Sequence, residues 1–373
     1  MRVLLLHNRY RSLGGEERLV GNLAQLLSRR GHDVQVLERS SAATGRVRAA
    51  GALLGGGIDV AEVESALRRQ RPDIVHAHNL HPLFGWRALA AAQRAGARTV
   101  LHLHNFRLFC AVAVAYRDGG PCFRCRGRNT LPGLLLRCRG SLPEAAVYAV
   151  GLARQQPRIL AHADRLVVVS EAHGRRLQEL GLPAGRASVL PNFIPGRELS
   201  TRSRAQSGRY ALVAGRLVEE KGYDTAIRAA RAAGVPLVVA GAGPDEPRLR
   251  RLAGGGEVRF AGLLPAADLA SVRRDAAVVL VPSRCEEACP YAVLDALATG
   301  LPVLASDLGG LPELVGLDAA LEPTDQERWA SALRALWEAP SLRQQLGAAA
   351  LERAREQFGE EAYYARLMEV YRA

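Results

Sequence analysis

The sequence predicts an α/β protein built from two parallel-sheet domains in tandem. Short apolar runs alternate with longer amphipathic stretches along the chain, which is the pattern of strands crossed by helices. The alternation occurs twice, once on each side of a stretch that lacks periodicity. The 373 residues are too many for one small domain and suit two of ordinary size. Hydrophobic residues make up 48% and aromatics only 5%, so the predicted cores are aliphatic, of Leu, Val and Ala. A chain of this size buries a sizeable core without needing disulfides or metals.

The first apolar run, Val3 to Leu6 in MRVLLLHNRY, is too short for a signal-peptide core and right for a buried strand. Further strand candidates are 33–38, 73–78, 98–104 and 165–170. A helix is predicted from roughly Gly15 to Arg30, closed by Gly31. The first domain is assigned to residues 1–192, with a cysteine-containing insertion at 105–140. Residues 193–209 gather Pro, Gly, Ser and Arg and are read as a linker. A second series follows at 210–216, 235–241, 257–262, 276–283 and 301–307, in a domain spanning 210–352. Residues 353–373 are read as one amphipathic helix carrying Tyr363, Tyr364, Leu367 and Tyr371, whose apolar face needs a partner. No segment approaches the ~20 apolar residues of a membrane span. The expected location is cytoplasmic, with reduced cysteines.

Two Rossmann-like domains are expected to face a cleft, with ligands beyond the carboxyl ends of their strands. In the second half, GRLVEEKG holds Lys221, the only lysine of the chain, five residues after Arg216 at a strand end. A guanidinium, an ammonium and helix-start amides together suit a diphosphate. The alternative is a lone surface lysine. In RCEEACPYAVLDALATG, Glu287 and Asp295 stand eight apart, with Pro290 at the first helical position and the amides of Tyr291 and Ala292 facing an anion. On that helical reading the two carboxylates share a face and reach sugar hydroxyls. The alternative is a capping acid and an exposed acid.

GRLVEEKG, GAGPDEPRL and EEACPYAVLDALATGLPVLASDLGG, in that order, resemble the second domain of retaining GT-B glycosyltransferases of the family 4, or group 1, type. The likeness extends from Met1 to the final helix. It implies a GT-B fold in which the C-terminal helix packs back towards the N-terminal domain. It also implies that Arg216 and Lys221 bind a donor diphosphate, with Gly243 and the amides of Tyr291 and Ala292 in the donor site. Glu287 is then placed on the transferred sugar and Asp295 on the ribose. Asp295 stands where the family usually has Glu, and Pro290 where it often has Gly.

In the first half, Gly14 and Gly15 permit close approach to a phosphate, and the resemblance sets such a glycine loop against the donor. Histidines cluster in HAHNLH (76–81) and HLHN (102–105). His102 and His104 share a strand face. A metal site and a cleft lining are both open readings. The resemblance favours His104 as the active-site histidine with Asn105 beside it, and His78 and Asn79 on the acceptor side. Cys110, Cys122, Cys125 and Cys138 have the spacing of a structural zinc site, or have no joint role. From Tyr116 to Arg139 there are six arginines against one acid, Asp118. That stretch suits an anionic membrane surface, an acidic acceptor or a solvated loop.

The formal charge of +13 favours anionic partners. The expected reaction moves a sugar from a nucleotide-diphosphate sugar to a hydroxyl of a glycan or lipid-linked acceptor, with retention and without a catalytic metal or other cofactor. The setting is cell-envelope or exopolysaccharide synthesis at the inner face of a bacterial membrane. Within the fold the rival is a sugar-nucleotide epimerase. From another class the rival is a zinc-containing nucleic-acid binder. It is disfavoured because no aromatics interleave the arginines, and nucleic acid is not an expected partner. Neither first strand is followed by the G-x-G-x-x-G of a dinucleotide oxidoreductase.

Overall fold

A computed structural model of the chain describes residues 1–10 and 14–373. Positions 11–13 of the glycine-loop stretch therefore lie outside the described residues. The chain divides into two compact units. The first comprises Met1–Ala115, Cys122–Pro191 and Tyr364–Ala373, and the second comprises Tyr116–Pro121 and Asn192–Tyr363.

The first half of the chain contains β1 (Arg2–Arg9), α1 (Gly15–Arg29), β2 (Asp33–Ser40), α2 (Arg46–Gly55), α3 (Val60–Gln70), β3 (Ile74–Ala77), α4 (Gly85–Arg94) and β4 (Arg98–Leu103). It continues with the hairpin strands β5 (Tyr116–Arg117) and β6 (Gly120–Pro121), then α5 (Leu131–Leu135), α6 (Leu142–Ala161), β7 (Arg165–Val168), α7 (Glu171–Glu179) and β8 (Ala187–Val189). Its parallel sheet runs β2-β1-β3-β4-β7-β8. Central strands of a sheet covered on both faces must be apolar throughout, and Val3–Leu6 are fully buried. One core gathers Leu4, Leu6, Val75, Phe84 and Leu89.

The second series is β9 (Ala211–Ala214), α8 (Tyr223–Ala233), β10 (Leu237–Ala240), α9 (Glu246–Ala253), β11 (Val258–Gly262), α10 (Ala266–Arg274), β12 (Val278–Val281), α11 (Tyr291–Thr299) and β13 (Val303–Ser306). It closes with α12 (Leu311–Val315), β14 (Ala320–Leu321), α13 (Gln326–Glu338), α14 (Pro340–Phe358) and α15 (Glu360–Arg372). Its parallel sheet runs β11-β10-β9-β12-β13-β14 around a core of Val213, Leu237, Leu280 and Trp329. The order reverses between β9 and β12, which makes the ends of those strands the topological switch point.

Two expectations are corrected. Residues 193–209 are no loose linker but are fixed to the second unit. Ser203 Oγ donates to the Gly300 carbonyl at 2.6 Å, and buried Arg343 donates to the carbonyl of Ala205 at 3.0 Å. Nor is 353–373 one helix. Gly359 takes φ −74° and ψ 164°, an extended conformation that ends α14 and lets α15 restart at a new angle. From Tyr364 onward α15 groups with the first unit, where the Tyr371 hydroxyl hydrogen-bonds His76 Nδ1 at 2.8 Å and Arg98 donates to the Tyr371 carbonyl. That is the partner its apolar face required. Among the described residues, no helix is long and apolar enough to cross a membrane.

Candidate active site

In the second unit, Arg216 and Lys221 leave the carboxyl end of β9, while Ser283, Arg284 and Glu287 leave that of β12. Sequence places these groups up to 71 positions apart, and the switch point brings them together. Lys221 ends a 3₁₀ turn, Glu219–Lys221, and Gly222 then caps α8 with φ +64°. A Cβ on Gly222 would lie 1.9 Å from the Pro282 carbonyl oxygen, so only glycine lets the two connectors approach.

Lys221 Nζ is ion-paired with Glu287 Oε1, and Ser283 Oγ donates to the same carboxylate oxygen at 2.8 Å. Burial alone raises the Glu287 carboxyl. The Lys221 ammonium and the two hydrogen bonds outweigh burial and hold it below the usual carboxylate range. For Lys221, burial works against the charge, and Glu287 overcomes it and raises the ammonium. Arg216 is half-exposed, donates to Glu220 at 3.2 Å and lies within electrostatic reach of Glu287. Behind these groups Arg284 donates to the buried Asp224 at 2.7 Å, with Arg228 and Arg248 on the same carboxylate. The result is an exposed guanidinium and a partly buried ammonium backed by fixed positive charge, with one ionised acid among them. Such a site suits an anion with a hydroxylated appendage.

Other predicted residues sit differently. Pro290 is the N-cap of α11, with ψ 135°, rather than its first helical residue. Glu287 therefore belongs to the preceding loop, and it shares no helical face with Asp295. Asp295 accepts a hydrogen bond from Arg273 Nη2 at 2.9 Å, with both side chains nearly buried, so its carboxylate is already engaged. Tyr291 and Ala292 are the first two residues of α11, before the ladder begins with the Val293 amide on the Pro290 carbonyl. Gly243 packs backbone on backbone, since a Cβ there would lie 2.2 Å from the Leu217 carbonyl oxygen. It shapes the Arg216 connector.

In the first unit the ends of β1, β3 and β4 surround a cavity of about 30 Å³, lined by Glu16, His78, His102, His104, Asn105 and Arg107 among others. That is room for a water or two. His78 Nδ1 and His104 Nε2 share a hydrogen bond at 3.0 Å, and the His102 and His104 rings stack at 4.1 Å, as strand alternation predicts. Asn105 Nδ2 donates to the Tyr10 hydroxyl at 3.2 Å and to Glu16 at 3.4 Å. Burial first, and then Glu17, push the Glu16 carboxyl up to about 8. Asn79 turns inward, its side-chain amide donating to the Asn8 carbonyl at 2.8 Å, so it braces β1 against β3. Gly14 is the N-cap of α1 and Gly15 its first residue, and the Gly14 amide donates to the Glu17 carboxylate at 2.9 Å. Glu17 thus caps the amide that opens α1.

His76, His78 and His102 put ring nitrogens within 4.8 Å of one another in the interior. Their rings stack with interplanar angles of 11° to 30°. Nitrogen lone pairs lie in the ring plane, so stacked rings aim them side by side rather than at one ion. Cys110, Cys122, Cys125 and Cys138 are half-buried free thiols in the first unit. Sequence reasoning missed Glu16, Arg107, Ser283, Arg284 and Asp224. The signal for Ser283 and Arg284 was a Ser-Arg pair one residue ahead of the two acids, in SRCEE.

Two doubly wound parallel sheets in tandem, with a basic and acidic constellation at the switch point of the second, define the class of GT-B folds. The model of Glycosyltransferase Family 4 matches residues 13–195, and that of Glycosyl transferases group 1 matches residues 208–339. The chain is 31% identical over 332 residues to D-inositol 3-phosphate glycosyltransferase 1 of Catenulispora acidiphila, covering 81% of this chain and 72% of the relative. Against the D-inositol 3-phosphate glycosyltransferase of Saccharomonospora viridis the identity is 32% over 267 residues, covering 62% of this chain and 60% of that protein's length. The chain thus spans less than two thirds of that relative. Anabaena HepE, solved in complex with UDP-glucose, shares the fold with a TM-score of 0.66 and 18% identity, covering 100% of both chains. The chain belongs to the family 4 glycosyltransferases.

Proposed function

We propose that this chain is a retaining glycosyltransferase that moves a sugar from a nucleotide-diphosphate donor to a hydroxyl of a glycan or lipid-linked acceptor, in cell-envelope or exopolysaccharide synthesis. One observation carries the reading: Arg216, Lys221 and Glu287 converge at the switch point of the second sheet, with Glu287 held ionised. As the nucleoside diphosphate departs, negative charge grows on its phosphate oxygens. Arg216 and Lys221 are poised to take up that charge, which is electrostatic catalysis by groups already in place. Glu287 accepts hydrogen bonds from hydroxyls of the transferred sugar and opposes positive charge developing on its ring. The departing phosphate takes the acceptor proton on the face it leaves, and the anomeric configuration is kept. His104, at the cavity of the first unit, is neutral at physiological pH and offers a hydrogen bond without competing for the phosphate. HepE's UDP-glucose supports a nucleotide-sugar donor here.

The test is thermal unfolding with UDP, GDP, ADP and their sugar conjugates, followed by NMR of the anomeric product. One nucleotide series should shift the melting temperature and yield a product of unchanged configuration. Inverted product sinks retention, and a modified sugar nucleotide without acceptor product points to an epimerase. The acceptor side is further proposed to rest on anionic lipid. Leu131 and Leu135 of α5 and Leu142 at the start of α6 are exposed amid the arginines of 117–139. Vesicles containing phosphatidylglycerol should sediment the protein and neutral vesicles should not. Equal recovery with both removes the membrane reading.

A further inference from the structure

We propose that Cys110, Cys122, Cys125 and Cys138 are the four thiolate ligands of a structural zinc ion that ties together the segments of the first unit that carry them, on either side of residues 116–121. None of the four is in a disulfide, and each is half-buried. The backbone pairs the segments that carry them. The Cys122 amide donates to the Ala115 carbonyl at 2.7 Å, which sets the C-x2-C pair beside the turn after Cys110. The Cys138 amide donates to the Gly133 carbonyl at 3.0 Å. Gly133 in turn faces Cys125, whose sulfur would lie 3.5 Å from a Cβ built there. The Cys125 sulfur is within electrostatic reach of the other three.

The backbone between these cysteines is strained: Ala113 and Ala115 hold φ of +69° and +47°, a region that disfavours residues with a Cβ. Of the six described non-glycine residues with positive φ, Ala113, Ala115, Asp118 and Arg137 fall between Cys110 and Cys138. Strain so concentrated persists only where something over-determines the backbone. Residues 105–115 pack into the first unit's core through Phe106, Leu108, Phe109 and Ala115, whereas between Cys122 and Cys138 only Thr130 and Gly133 are buried, and there a metal cross-link supplies the constraint.

Charge selects the ion class. Four thiolates around a divalent cation leave a net −2, matched by Arg117, Arg124, Arg126, Arg128, Arg137 and Arg139 in the same stretch. All-thiolate tetrahedral coordination suits zinc, at about 2.3 Å from each sulfur. Only His76, His78 and His102, among the described residues, form a group of three with ligand atoms all within 4.8 Å, so loading requires the sulfurs to move closer than they stand here. Binding releases the four thiol protons to solvent, and apparent affinity rises with pH.

Zinc content per chain and free-thiol count test the proposal without reference to glycosyl transfer, so its failure and that of the enzymatic reading are separable. The full chain, reduced, loaded with zinc and desalted, should retain one ion and hide four thiols from a thiol reagent. Cobalt substitution in the wild type should give thiolate-to-metal charge transfer with tetrahedral ligand-field bands, a readout that needs no variant to fold. Cys122→Ser with Cys125→Ser should lose the ion, while His102→Leu should keep it. Zinc retained by the double serine variant, no zinc with four reactive thiols, or thiols lost to disulfides without zinc would each overturn the site.

Discussion

Lys221 faces Glu287, whose carboxylate is almost buried, and the two must act on different parts of one donor. Lys221→Ala removes a charge aimed at the leaving diphosphate and should lower turnover by about 10²–10³-fold, the usual loss for one transition-state donor. It should also abolish the melting shift caused by the cognate nucleotide. Glu287→Gln keeps the shape and the ammonium. It should cut transfer while preserving the shift by the nucleotide lacking its sugar. If both variants lose both readouts equally, the assignment of Lys221 to diphosphate and Glu287 to sugar is wrong. Asp295 shows what sequence could not reveal at this scale. Its position was legible, but its partner Arg273 lies 22 residues upstream on α10, and only the packing of α10 against α11 commits the carboxylate. Arg273→Ala should release Asp295 towards solvent and alter nucleotide affinity. Unchanged affinity would make the pair purely structural.

At the level of elements, the central strands were legible because sheets covered on both faces demand unbroken apolar runs. The strand candidates at 3–7, 98–104, 235–241 and 301–307 all became strands of the two large sheets. The strands β8 and β14 escaped because two or three residues carry no periodicity. The helix expected over 353–373 failed for the opposite reason. Apolar spacing continued through Gly359, and the backbone broke where the sequence marked only a permissive residue. Connectors hold the chemistry, and glycine sets their approach. Gly222→Ala must force a Cβ against the Pro282 carbonyl at a φ of +64°. A cost of about 2 kcal/mol is expected from the left-handed backbone and the clash, a fall of about 4–8 °C for a domain of this size. Because Gly222 adjoins Lys221, the nucleotide-induced shift should shrink as well. A variant with wild-type melting and nucleotide response would show that the connector relaxes freely.

For the molecule as a whole, the histidines of the first unit set the behaviour with pH. His76, His78, His81, His102, His104 and His173 are all held neutral, primarily by burial, with His76 and His81 lowered to about 3 and His173 to about 4. Unfolded histidine titrates near 6.5, so between that value and the depressed folded ones the unfolded chain binds more protons. Stability is therefore present above pH 6.5 and lost as pH falls. At pH 5.5 each such histidine favours the unfolded chain, which takes up the proton the fold refuses, and the six together remove a large part of the stability of an ordinary domain. Glu16 runs the other way: its carboxyl is raised to about 8, so its contribution is full below the ordinary glutamate range and is lost progressively as pH rises towards 8. Glu17, lowered to about 2, keeps its charge throughout this range, as does Arg107, whose guanidinium is raised. One opposing carboxyl cannot balance six imidazoles. The melting temperature should fall by more than about 10 °C from pH 7.5 to 5.5, with calorimetric proton uptake on unfolding. A flat profile over that interval would mean that the imidazoles titrate in the fold as they do in the unfolded chain, and the stacked, neutral histidine cluster would have to be abandoned.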